Sequence, residues 1–200
     1  QNVVDMVREF RQKDNDTPVV LMGYLNPVEV MGYEAFAGAA AEAGVDGVLT
    51  VDLPPEEGHD LVEALKGQKL DPIFLAAPNS DAGRISLMSG CGGGFLYYVS
   101  FKGVTGANRL DIESVANKLT EIRGHTELPV GVGFGIRDAD TAASIAAFSD
   151  AVVVGSALVN RIAALADTPD RIVSEAPQVI ADMRHAMDSA RPGASGKQAG

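Results

Sequence analysis

The chain has 200 residues, 46% hydrophobic and 22% charged, which is enough for one good core and one domain, two at most. Its net charge of −11 and sequence pI near 4.6 argue against nucleic acid and anionic membrane surfaces, whose binding needs a basic patch. No apolar run approaches bilayer-spanning length, the opening residues do not read as a secretory signal, and the one cysteine, Cys91, has no partner for an internal disulfide, so a reducing cytoplasm is the expected setting.

The first element is a helix. "NVVDMVREFRQK" places Val3, Val4, Met6, Val7 and Phe10 on a helical period, with no N-cap and no strand ahead of it. Six continuously apolar segments follow, as expected of strands buried on both faces of a parallel sheet: Pro18–Gly23, Gly47–Val51, Pro72–Ala76, Phe95–Val99, Pro129–Gly133 and Ala151–Gly155. Helix-period stretches alternate with them: "YEAFAGAAAEAG", "EEGHDLVEALKGQ", "DAGRISLMSG", "IESVANKLTEIRG" and "DTAASIAAF". Gly44, Gly67, Gly90 and Gly124 are the expected C-caps. After the last strand, "GSALVNRIAAL" predicts a short helix. In "TPDRIVSEAPQVIADMRHAM", Thr168 is the expected cap, Pro169 the first helical residue, and Pro177 a break.

Repeated βα units suit either a doubly wound sheet or part of a (β/α)₈ barrel. The opening helix without a strand before it, and the short helix after the last strand, favour the barrel, with six of its eight βα units present. Residues 1–190 are then the barrel domain, and 191–200 ("RPGASGKQAG") a disordered tail. An open sheet of six strands would leave edges unpaired, so these residues alone are expected to be unstable.

Function in such barrels gathers where strands end. Three consecutive ends carry glycine: Gly106 in "SFKGVTGANR", Gly135 in "GVGFGIRD", and Gly155-Ser156 in "VVVGSALV". A single glycine there is more often a turn former. Three together, the last opening a helix, point to bare N–H groups around an oxyanion such as a phosphate. Lys102 and Arg109 are as well placed for solvent as for assisting. Tyr24, Leu49, Tyr97 and Phe134 are candidates to wall an apolar ligand. Asp52, in "VLTVDLPPEE", is the one acid ending an apolar strand. Barrel logic nominates it as a general acid or base, while the rigid Pro54-Pro55 loop after it favours a contact surface. His59, His125 and His185 have no metal-ligand spacing, and no metal is expected.

Taken in order, "PVVLMGYLNPV", "GVDGVLTVDLPPEE", "PIFLAAPNS", "YVSFKGVTGANR", "VGVGFGIRD" and "AVVVGSALV" resemble the α subunits of tryptophan synthase, from about Val3 to Ala190. The resemblance implies a (β/α)₈ barrel and a carbon–carbon lyase in tryptophan biosynthesis, cleaving indole-3-glycerol phosphate to indole and glyceraldehyde 3-phosphate by a retro-aldol reaction. It implies no cofactor in this subunit and a pyridoxal-phosphate β subunit as partner in an α₂β₂ complex. By position, Gly106, Gly135, Gly155 and Ser156 would hold the phosphate, and Tyr24, Leu49, Tyr97 and Phe134 would line the substrate pocket. Thr105, with Tyr97, would support catalysis. Asn26, Asp52 and Pro54 would face the β subunit, which displaces Asp52 from the catalytic role. The family's catalytic glutamate and aspartate match no position here and would lie upstream, in two βα units absent from this sequence. The 200 residues alone are therefore expected to bind rather than turn over. Phe101-Lys102 also departs from the more polar pair of many relatives. Two other readings differ in kind: a phosphate-binding barrel acting on another sugar phosphate, or a non-catalytic partner that activates a β-type enzyme.

Overall fold

A computed structural model describes residues 2–100, 112–133 and 135–190. The described residues group into two compact units. The first comprises the chain up to Ala76, Ser80–Tyr97 and His125–Pro129, and the second the remaining described residues.

In the first unit, α1 (Asn2–Arg11) leads to β1 (Val20–Gly23), α2 (Leu25–Met31), α3 (Tyr33–Ala43), β2 (Gly47–Thr50) and α4 (His59–Gly67). Then come β3 (Asp71–Ile73), β4 (Leu75–Ala76) and α5 (Ala82–Cys91). The first three strands form a parallel sheet in the order β1-β2-β3, with Val20 opposite Gly47 and Gly47 opposite Asp71. The core joins Val4 and Val7 of α1, the alanines Ala37, Ala40 and Ala43 of α3, and Leu61 and Leu65 of α4 to Val48 of β2. Alanine on α3 lets that helix approach closely, and each buried leucine contributes roughly 1.5–3 kcal/mol.

The unit boundary falls within β5 (Leu96–Val99). Its first half belongs with β4, where Tyr97 donates its N–H to the Phe74 carbonyl at 3.0 Å. The second unit continues with α6 (Ile112–Arg123), β6 (Val130–Gly133), α7 (Ala139–Ala146), β7 (Ala151–Val153) and α8 (Ser156–Ala164). A 3₁₀ turn at Pro169–Arg171, α9 (Ile172–Glu175) and α10 (Gln178–Ala190) complete it. Here β6 and β7 pair in parallel, with Gly131 opposite Ala151 and Gly133 opposite Val153. Ile136, Ala142 and Met183 form one buried cluster of this unit, which ties α10 to α7.

Several expectations need correction. Among the described residues only β2 and β6 are strands buried throughout. The first strand is exposed at three of its four residues, because among the described residues it pairs with β2 alone and is an edge. In α1 only Val4 and Val7 face the core, while Val3, Met6 and Phe10 are exposed. The expected strand Pro72–Ala76 divides into β3 and β4: Pro72 has no N–H for a ladder, and the Phe74 carbonyl turns to Tyr97.

The helix α2 was not anticipated; "LNPVEVM" is too short to show a period. Gly44 is a left-handed C-cap at φ 88°, and Gly124 follows α6 directly. Gly67 and Gly90 instead lie within their helices, with Gln68 and Gly92 in the cap positions. Thr168 stands at the cap position of the 3₁₀ turn, but its hydroxyl donates back to the Leu165 carbonyl rather than capping. Pro169 opens that turn and Pro177 separates α9 from α10, as expected.

Candidate active site

The site residues fall in both units, and each group is positioned by its own elements. In the first unit, parallel pairing brings the ends of β1 and β2 level, Gly23 opposite Thr50. Tyr24 and Leu49 line one apolar hollow of about 220 Å³, together with Met22, Met31, Phe36 and Thr50. Leu49 is buried, whereas the Tyr24 side chain stands in the open at 65% exposure. Tyr97 is not among the residues lining that hollow. It is half-buried, its ring 6.5 Å from that of Phe95, and burial pushes its phenol above the usual range. Its neighbour Tyr98 points the other way and is fully buried, as alternation along a strand requires.

Asn26, Asp52 and Pro54 also belong to the first unit. Asp52 is exposed, and its Oδ1 accepts the Leu25 N–H at 2.7 Å. It therefore caps α2, the helix that follows the neighbouring strand β1, and not the helix after its own strand. This bond draws Asp52 to the turn that carries Asn26, while Pro54 follows two residues on.

In the second unit, Gly135 and Gly155 each lie two residues beyond the last β6–β7 pair, Gly133 with Val153. Gly135 has φ 78°, a conformation that favours glycine. Gly155 is the N-cap of α8 and Ser156 its first residue; both are exposed, and among the described residues no side chain caps this helix. The contrast with α7 is sharp, since the Asp138 carboxylate accepts the Thr141 N–H at 2.8 Å and fills that N-terminus. A methyl placed on Gly155 would meet no described atom within 4 Å beyond its chain neighbours. Gly135 lines a polar hollow of about 280 Å³ with Arg137, Asp138, Asp140, Thr141 and Ser144, which does not include Gly155 or Ser156. Two carboxylates make that hollow a poor anion site, so the open N-terminus of α8 is the better one.

Thr105, Gly106 and Phe134 lie outside the described residues, as do Lys102 and Arg109. Ser100, at the end of β5, was missed by sequence reasoning. Its N–H and its buried hydroxyl both donate to the Gly133 carbonyl, at 3.1 and 2.9 Å. A serine ending an apolar strand just ahead of a glycine-bearing loop was the available signal. Among the described residues no group of three or more His, Cys, Asp or Glu could hold a metal, and no helix is long and apolar enough to cross a membrane.

A family model described as tryptophan synthase alpha chain matches residues 1–188. The chain belongs to that family. The tryptophan synthase alpha chain of Thioalkalivibrio sulfidiphilus is 62% identical over 191 residues, covering 94% of this chain and 71% of the relative. A crystal structure of tryptophan synthase subunit alpha from Legionella pneumophila superposes with a TM-score of 0.84 at 37% identity, over 94% of this chain and 69% of the other. A structure of the tryptophan synthase α₂β₂ complex from Pyrococcus furiosus, described in terms of mutual activation, matches with a TM-score of 0.77 at 32% identity, over 89% and 72%. The fold is accordingly that of a (β/α)₈ barrel, and the family's chemistry is that of an aldol-type carbon–carbon lyase needing no cofactor in this subunit. The alternative of another sugar-phosphate barrel falls away at this level of identity.

Proposed function

We propose that these residues form the substrate-binding part of an indole-3-glycerol-phosphate lyase that works in the cytoplasm with a β subunit carrying pyridoxal phosphate. The open, uncapped N-terminus of α8 at Gly155-Ser156, level with Gly135 on the neighbouring strand end, is the observation that carries this reading. A phosphate there meets N–H groups that no described side chain fills, and the positive end of the helix dipole. This is how a chain of net charge −11 can hold an anion locally. Gly106 completes the phosphate set in the proposal, and Thr105 supports catalysis.

Tyr24, Leu49, Tyr97 and Phe134 take the indole and glycerol portion in this reading. The apolar hollow beside Tyr24 and Leu49 supports it, since a flat aromatic group gains most from apolar walls. Asn26, Asp52 and Pro54 face the β subunit. Retro-aldol cleavage protonates indole C3 and removes the proton of the glycerol hydroxyl, which needs a pair of tuned carboxylates. No acid in these 200 residues matches the family's pair by position, so the assignment made for them is binding and orientation.

The test is Gly155→Ala, assayed by indole release from indole-3-glycerol phosphate. Beyond its chain neighbours the added methyl meets no described atom within 4 Å, so the variant should fold as wild type while crowding the phosphate. Losing a charge-assisted contact there raises KM by roughly tenfold or more. An unchanged KM in a turning-over protein would remove the phosphate from α8.

A further inference from the structure

Tyr24 is poorly held by its own side chain. At 65% exposure the ring has little packing to fix its direction, yet it borders the hollow assigned to the indole. Its backbone, by contrast, is pinned on both sides. Before it, the Gly23 carbonyl accepts the Val51 N–H at 2.8 Å. After it, the Leu25 N–H donates to Asp52 Oδ1 at 2.7 Å. Tyr24 occupies the cap position of α2 with extended backbone, φ −93° and ψ 157°, and makes no side-chain capping bond. The helix therefore takes its cap from a residue 27 positions away, on the end of the adjacent strand.

We infer that Asp52 is a positioning residue for the substrate pocket: its carboxylate, by holding Leu25, fixes the turn that aims Tyr24. This rests on the reading of Tyr24 as a pocket residue and goes beyond the partner-contact role of Asp52. The neighbouring Val51–Gly23 bond fixes only the strand side of Tyr24. Asp52 holds the helix side, and no described side chain shares that task. Asp52 touches no substrate atom in this account and acts through Tyr24 alone.

The two roles of Asp52 differ in what they predict without the β subunit. A partner contact affects the reaction only when the β subunit is present. A positioning residue acts on the α subunit by itself. The experiment takes the full chain without and with the β subunit, comparing Asp52→Ala, Asp52→Asn, Tyr24→Ala and the double variant Asp52→Ala/Tyr24→Ala. Without the β subunit, Asp52→Ala should raise KM for indole-3-glycerol phosphate by roughly fivefold, the scale of one lost hydrogen bond, with a smaller change in kcat. Asparagine keeps an oxygen that accepts the Leu25 N–H, so Asp52→Asn should retain a near-normal KM. The double variant should be no worse than Tyr24→Ala, since a residue acting through Tyr24 has nothing left to act on.

Amide hydrogen exchange at Leu25 reads the bond without any activity, and protection should fall in Asp52→Ala and persist in Asp52→Asn. A wild-type protein that neither binds nor cleaves indole-3-glycerol phosphate would sink the lyase reading and leave this exchange test standing. Unchanged Leu25 protection in Asp52→Ala, an unchanged KM without the β subunit, or additive effects in the double variant would each overturn the inference. Should Asp52→Ala fail to fold, Asp52→Asn decides alone: a KM raised well above wild type without the β subunit overturns it.

Discussion

The two units contain the same clamp, built twice and to different depth. In the first, Asp46 directly precedes β2, and its Oδ2 accepts the Val19 N–H at 2.6 Å just ahead of β1. Its own N–H returns to the Val19 carbonyl at 2.9 Å, and Arg11, the last residue of α1, reaches the same Oδ2 at 2.7 Å. In the second, Asp150 directly precedes β7. Its Oδ2 accepts the Val130 N–H at 2.8 Å, its N–H returns to the Val130 carbonyl at 3.0 Å, and Arg123, the last residue of α6, joins at 2.9 Å. The difference is in the arginines. The Arg11 side chain is only 13% exposed and also donates to the carbonyls of Gly44, Thr17 and Asp14, at 2.8, 2.7 and 3.2 Å. Arg123 is 43% exposed, and among the described residues it has Asp150 alone. One motif can thus be a structural hub or a surface decoration, depending on how much water its arginine has lost.

The largest effect should follow from breaking the deeper clamp. Arg11→Ala strands three carbonyls and a carboxylate that share one donor group. A charged hydrogen bond is worth about 1.5–3 kcal/mol net, and the half-exposed Asp46 lowers the ion-pair share. A total loss of about 2–3 kcal/mol is expected, read as a lower urea midpoint. A loss no greater than that of Arg123→Ala would end the comparison.

The sequence spoke clearly on which segments are elements and barely on which faces are covered. "VLMG" and "GVLT" are equally apolar, yet β1 is exposed at three positions and β2 at none. Composition sets the tendency to form a strand; cover on each face comes from neighbours that no local window contains. The same limit applies to α1, whose five periodic apolar residues divide into two buried and three exposed. At the site, the strand-end glycines were legible because a run of glycines after apolar segments is a local pattern. The seat of Asp52 on Leu25 was not, because it joins residues 27 apart and depends on the register of two strands. Capping glycines were legible only in part: Gly44 and Gly124 stand just past helix ends, but Gly67 is the last residue of its helix and α5 runs through Gly90.

The shallower clamp should yield a smaller and different response. Arg123→Ala leaves the Val130 N–H on Asp150 and removes one exposed ion pair, worth up to about 1 kcal/mol. That loss should shrink when salt is raised from about 0.01 to 1 M, since screening over such a range is strong. The Arg11→Ala loss should persist, because three of its four acceptors are neutral carbonyls. Denaturant titrations of both variants at the two salt levels test this. Equal salt sensitivity would mean that burial is not what separates the clamps.

The smallest effect concerns acid, and it sharpens the comparison at the loop leading into β1. Asp14 accepts the N–H groups of Thr17 and Asp16 on Oδ1, at 2.8 and 2.9 Å, and the Thr17 hydroxyl on Oδ2 at 2.7 Å. These bonds, that of the Thr17 N–H foremost, hold its carboxyl below the usual range. A carboxyl lowered by folding contributes stability that is complete above its unfolded value, about 3.9 for aspartate, and is lost as pH falls through its folded value. Asp14→Asn should therefore be less stable than wild type at neutral pH, with the gap closing as pH drops below about 4. In the second unit the Thr141 side chain and N–H lower Asp138 in the same way, so Asp138→Asn should close its gap over the same acid range. Urea midpoints measured from neutral pH down into that range would decide. If either variant ran parallel to wild type throughout, its carboxyl would titrate alike in the folded and unfolded chains, and its turn would be held by geometry rather than by charge.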